Sequence, residues 1–190
     1  GKVPGELKFS SFRIVEQSNS AIEGKAKRKQ VELIFKKNKR TLSFNILIYL
    51  PKNVSRAPVF MGYNFYGNHT VTNDSKIIIS DAWTVNNESL GITNNRLDEH
   101  SRGVCASRWQ VESVIDAGFG LATLFYGEID PDKNDMTDGI HPLLYTRHQQ
   151  RPKSDEWGSI AAWSWGLSRV MDYLEKDLDI DATKVVLFGH

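Results

Sequence analysis

The 190 residues hold one cysteine, six prolines and no surplus of charge of either sign. With Cys105 alone, neither an intrachain disulfide nor a zinc site built on cysteines can form. Lys and Arg number 24 against 23 Asp and Glu, a net charge of +1, so the basic excess of a nucleic-acid binder is missing. The one basic stretch, residues 25–29 with 36–40 nearby, reads as a solvated turn or strand edge. No apolar run reaches the ~20 residues of a membrane-spanning helix. The opening Gly-Lys-Val-Pro carries no leader pattern, so composition leaves the compartment open. Glycosylation sequons begin at Asn53, Asn68, Asn73 and Asn87, and in a chain this rich in asparagine such matches weigh little. What is present, 40% hydrophobic and 25% charged residues, is the composition of a globular domain with one core.

Residues 1–28 are polar and irregular, and are expected to form an N-terminal arm; residues 29–190 then make part of a single domain. The runs 30–36 and 41–50 read as strands joined by Lys37-Asn38-Lys39-Arg40, an antiparallel hairpin that Pro51 ends. The apolar run 58–62 lacks alternation, as a strand buried on both faces does. A long polar connection follows to about residue 101, interrupted by the short apolar run 76–80. The spacing of Val104, Val111, Val114 and Ile115 predicts a helix over 103–117, closed by Gly118 in a left-handed cap. Strand 119–126 comes next, then a loop over 127–153. Ser154 or Asp155 is placed to cap a helix reaching about Lys176, with Ile160, Trp163, Leu167, Val170, Met171 and Leu174 on its apolar face. The last run, 184–188, reads as a buried central strand. A hairpin followed by alternating strands and helices predicts an α/β fold, a mostly parallel sheet between two layers of helices.

Open α/β sheets bind ligands beyond the carboxyl ends of their strands. Three such ends are legible. Leu187-Phe188-Gly189-His190 matches the start of a nucleophile elbow, G-x-S-x-G, or an ordinary turn. Asn64, Phe65, Gly67, Asn68 and His69 follow the 58–62 strand, where an α/β-hydrolase offers a backbone N–H to the oxyanion; Gly67 would allow close backbone approach and the polar side chains would donate. The competing reading is a Gly/Asn turn that satisfies its own backbone. Tyr126, Glu128 and Asp130, with Asp132, follow the 119–126 strand; alternating carboxylates bind a cation, act as acid and base, or simply face water, the commonest case. His100, His141 and His148 lie scattered in loops without metal-ligand spacing. Trp157, Trp163 and Trp165 fall on the last helix, Trp163 toward the core, the other two open to sugar stacking or to packing. No metal and no cofactor are expected.

Taken together, residues 64–70 (NFYGNHT), 102–112 (RGVCASRWQVE), 121–132 (LATLFYGEIDPD) and 162–175 (AWSWGLSRVMDYLE), leading into VVLFGH, resemble the bacterial glucuronoyl esterases of carbohydrate esterase family 15. The resemblance runs in order over about residues 58–190. It implies the N-terminal half of an α/β-hydrolase three-layer sandwich that cleaves 4-O-methyl-glucuronoyl esters linking xylan to lignin. In that family the elbow reads G-x-S-R-x-G-K, so Gly189 and His190 supply its first two positions. The serine, the arginine after it, the acid and the catalytic histidine would all follow His190, and no catalytic residue carries over onto this chain. The loop at Asn64 to Thr70 would line the floor of the site, and Tyr126, Glu128 and Asp130 its rim; Glu128 stands where relatives often carry Asp. The resemblance further implies a secreted or periplasmic protein whose partners are a glucuronoxylan–lignin ester and the C-terminal half of its own domain, with no nucleic acid or membrane. Alternatives are an acetyl xylan esterase or other serine α/β-hydrolase, or a non-catalytic carbohydrate-interaction module. The esterase reading leans on residues 184–188 forming a central strand that ends beside strands 58–62 and 119–126; an edge position or a helix there would overturn it.

Overall fold

The computed structural model describes residue 7, residues 10–37 and residues 39–189. Among the described residues, six strands form one mixed sheet in the order β1-β2-β3-β5-β4-β6. They are β1 (Ser11–Ala21), β2 (Ala26–Lys37), β3 (Arg40–Pro51), β4 (Ala57–Asn64), β5 (Gly120–Phe125) and β6 (Ile180–Leu187). The expected hairpin β2–β3 forms, in a register from Ala26↔Pro51 to Lys37↔Arg40; Asn38 lies outside the described residues. The parallel part consists of β4 flanked by β5 and β6. The antiparallel part extends further than one hairpin, because β3 also pairs antiparallel with β5 and because β1 adds to β2.

Strand β1 replaces most of the arm expected over residues 1–28. Its side chains are largely exposed and two register shifts interrupt its ladder, features of an edge strand that leave no apolar alternation to read. In β3 the alternation is clear and sorts the core into two layers. Phe44, Ile46, Ile48 and Leu50 face the helix α4 (Ser159–Leu174), while Leu47 and Tyr49 face α2 (Val111–Asp116).

The helix expected over 103–117 is two short ones, α1 (Ala106–Trp109) and α2, separated by Gln110 at φ 44. Gly118 has the left-handed conformation expected of it, φ +84. A four-residue helix α3 (His141–Leu144) interrupts the second long loop. Helix α4 starts after Ser154 and Asp155, at an N-cap Gly158 that supplies no side-chain bond. Its buried stripe is Ala162, Gly166, Val170, Tyr173 and Leu174, and Ile160 is 77% exposed. Small residues draw the helix onto the sheet: a methyl group on Gly166 would collide with the Tyr63 hydroxyl.

Strand β6 departs most from expectation. It is the edge of the sheet, and Leu187 is 62% exposed. Burial of a parallel strand needs neighbours on both sides, and within these residues β6 has only β4. Its end is nonetheless where expected, since the Phe188 N–H donates to Met61 O at 3.0 Å, beside the tip of β4.

Candidate active site

At the carboxyl ends of β4, β5 and β6 lies a cavity of about 810 Å³, the position where open α/β sheets bind ligands. Each strand delivers its next residues to the wall: Phe65 after β4, Tyr126 after β5, Phe188 and Gly189 after β6. The turn at Gln110 separates α1 from α2, and α1 contributes Trp109, whose ring meets Phe188 at 5.4 Å between centroids. From α4 comes Trp163. Phe65, Tyr126 and Trp163 form a run of rings with centroids 5.7 and 5.3 Å apart. Tyr63 anchors this wall from below by donating its hydroxyl to Trp163 O at 2.6 Å. Burial, with Asp132 close by, pushes the Tyr126 phenol up to about 12.

The expected floor residues are present, but their polar groups turn away from the cavity. Asn64 donates to Asn68 Oδ1 at 2.6 Å and to Thr123 Oγ1 at 3.2 Å; Asn68 donates to Asn45 O at 3.0 Å. Both side chains are buried, so their amides knit β4, β5 and β3 together. His69 is fully buried against Ser101 Oγ at 2.8 Å. Ser101 gives its own proton to Asp98 O at 2.9 Å, so it must accept from His69 Nε2–H, and Nδ1 carries the lone pair. Burial, then the nearby Arg102 guanidinium, hold the imidazole down at about 4. Gly67 has φ +88, and a Cβ there would lie 2.7 Å from Leu97 Cδ1 and 2.9 Å from His69 Nδ1. The local backbone and its neighbours require this glycine, without appeal to a ligand. Of the five loop residues only Phe65, 44% exposed, lines the cavity.

The expected rim divides in the same way. Tyr126 lines the cavity, as does Asp132, which the rim set omitted. Glu128 keeps some surface, but its carboxylate turns inward to accept the Asn45 backbone N–H at 2.6 Å, and burial pushes its carboxyl above the usual range. Asp130 is fully buried, 3.1 Å from His141 Nε2. Trp157 and Trp165, candidates for sugar stacking, pack into the core instead, Trp165 with its ring 4.9 Å from that of Phe35. Gly189 lines the cavity, and His190 lies outside the described residues. Among the described residues no group of three or more His, Cys, Asp or Glu is placed to hold a metal ion, and no helix is long and apolar enough to cross a membrane.

No protein-family model matches the chain. Carbohydrate esterase MZ0003, from an unknown prokaryotic organism, is 44% identical over 194 residues that take in all of this chain and 44% of that protein. A promiscuous CE15 esterase from the marine bacterial metagenome superposes with a TM-score of 0.86 at 45% identity, over all of this chain and 47% of its own. The glucuronoyl esterase from Solibacter usitatus gives 0.85 at 41% identity, again over 100% and 47%. The chain thus spans about half the length of the relatives it matches. The edge position of β6 meets the condition set for overturning the esterase reading, and that condition was wrong, because an edge strand here does not test its neighbours in proteins twice as long. Identity above 40% over the whole length of the chain decides the matter: it belongs to carbohydrate esterase family 15.

Proposed function

We propose that this chain is the N-terminal part of a secreted or periplasmic serine esterase that cleaves 4-O-methyl-glucuronoyl esters between xylan and lignin. The observation that carries this reading is the cavity at the strand ends, with Phe188 and Gly189 at its margin and a wall of aromatic rings. An elbow beginning at Gly189-His190 would present its serine there. The serine attacks the ester carbonyl, a histidine takes its proton, and the alcohol leaves as the acyl-enzyme forms; water then releases the uronic acid. In this scheme Phe65, Tyr126 and Trp163 wall the substrate. Asn64, Asn68 and His69 fix the β4 loop by bonds to Asn45, Thr123 and Ser101. Nucleophile, base and acid all come from beyond His190.

The test compares the 190 residues with the longer protein read through from the same gene. The longer protein is expected to hydrolyse a methyl glucuronate ester in preference to acetylated xylan, and the 190 residues alone to show no turnover above buffer. Turnover by the short chain comparable to that of the longer one would place the nucleophile within it and overturn the proposal. A preference for acetylated xylan would favour an acetyl esterase.

A further inference from the structure

Asp130 and His141 form a polar pair in the interior, one fully buried and the other 1% exposed. His141 Nε2 lies 3.1 Å from Asp130 Oδ2, while Oδ1 has no hydrogen-bond partner among the described residues. Among the described residues, His141 supplies the hydrogen bond that orients the carboxylate. A buried polar pair is a costly way to fill space, since an apolar pair of similar volume is often as stable. The surroundings hold this pair closely. Tyr145 and Trp157 flank the imidazole, with ring centroids at 5.8 and 6.1 Å. Ile140 N donates to Ile129 O at 2.8 Å, pressing the start of α3 onto the segment that carries Asp130. Gly139, at φ +58, makes that approach possible, for a Cβ would strike Ile129 O and stand 3.2 Å from Asp130 Oδ1.

Asp130 also holds the cavity wall from behind through its backbone. Its carbonyl accepts the Trp163 indole N–H at 2.8 Å, while its own N–H donates to Tyr126 O at 3.1 Å. One residue therefore joins His141 to the Trp163 indole and to the backbone of Tyr126, two neighbouring residues of the cavity wall. We infer that Asp130 and His141 are positioning residues: His141 fixes Asp130, and Asp130 fixes the Trp163 indole as a wall against which a carbohydrate ester is held. The kinetic part of this inference rests on the proposed esterase function; the placement of the indole does not.

The experiment uses the longer protein carrying this chain and three variants. In His141→Phe the ring between Tyr145 and Trp157 remains and the donor is lost. In His141→Gln an amide nitrogen stands near the place of Nε2. Trp163→Phe removes the indole N–H and identifies its resonance. His141→Phe is expected to speed hydrogen exchange of the Trp163 indole N–H at least about tenfold, and to raise KM for a methyl glucuronate ester about tenfold with kcat within about threefold. His141→Gln restores both. His141→Phe combined with Trp163→Phe is no worse than Trp163→Phe alone, because both act through one ring. Wild-type indole exchange in His141→Phe, or additive effects in the double variant, overturns the inference. Should His141→Phe not fold, His141→Asn, whose amide is too short to reach Asp130, takes its place. If the protein cleaves no uronate ester the proposed function fails, and indole exchange still decides the present point.

Discussion

Gly62 joins the end of β4 to the place where the nucleophile elbow is expected, and Gly62→Ala tests that junction. A Cβ built there lies 2.7 Å from the Phe188 carbonyl oxygen and 3.1 Å from two carbons of its ring. Ordinary contact begins near 3.4 Å, so the backbone at Phe188 must retreat by about 0.7 Å. Replacing a strand-interior glycine by alanine gains about 0.5–1 kcal/mol of chain entropy, whereas overpacking costs about 1–3 kcal/mol. The net loss of stability is expected to stay below about 2.5 kcal/mol. Catalysis should suffer more, because a displacement approaching 1 Å near reacting groups costs up to about 100-fold. The assay is kcat/KM of the longer protein on a methyl glucuronate ester, with urea unfolding in parallel. The expected result is a 10- to 100-fold fall, with the protein fully folded under assay conditions. Phe188→Ala should not rescue Gly62→Ala, since the nearest collision is with backbone. An alanine variant with wild-type kcat/KM would refute the coupling between the β4 tip and the catalytic serine.

Two further outcomes concern stability. The His69 imidazole is held near 4, below its ordinary 6.5, so between those values the unfolded chain binds a proton that the folded chain refuses. Stability should therefore fall as pH drops through this window, by up to about 1.4 kcal/mol per pH unit from this group; a His69→Gln variant with an unchanged slope in urea unfolding would contradict that. Arg28, 4% exposed, bonds Glu16 and Asp74 together, and Asp74 also accepts from Tyr49 at 2.8 Å. Arg28→Met strands two carboxylates and should cost about 3 kcal/mol, the lower end for a buried pair because Glu16 keeps some solvent; a loss below about 1 kcal/mol would mean the cluster is already well hydrated.

What the sequence made legible follows from where its information is local. Strands β2, β3, β4 and β5 announce themselves in apolar runs, whereas the continuous run of residues 46–50 in β3 does not tell which side chains face which core layer. Strand β1 was unreadable because an edge strand needs few apolar side chains. The break at Gln110 is invisible locally, since neither glycine nor proline marks it; the packing of α1 against the cavity and α2 against the sheet sets it. Ser154 and Asp155 looked like a cap but fall in the turn before Gly158. For the candidate site, the three strand ends meet at one cavity, which Phe65, Tyr126 and Gly189 line. Asparagine and histidine side chains were misjudged as donors to a ligand because their partners, Asn45, Thr123 and Ser101, are remote in sequence. His141 carried no signal at all beside an aspartate eleven positions away. Among the rings, Trp163 was taken as core although it also faces the cavity.

The ion pairs of β2 bear on how the protein is made. Lys29 reaches Asp177 at 2.7 Å and Lys27 reaches Asp179 at 2.8 Å, spans of 148 and 152 residues. A ribosome adding about 5–20 residues per second needs roughly 7–30 s to supply those aspartates after the lysines emerge. Throughout that interval one face of the first hairpin waits uncovered, so nascent chains stalled before Asp177 should be the ones a chaperone holds longest.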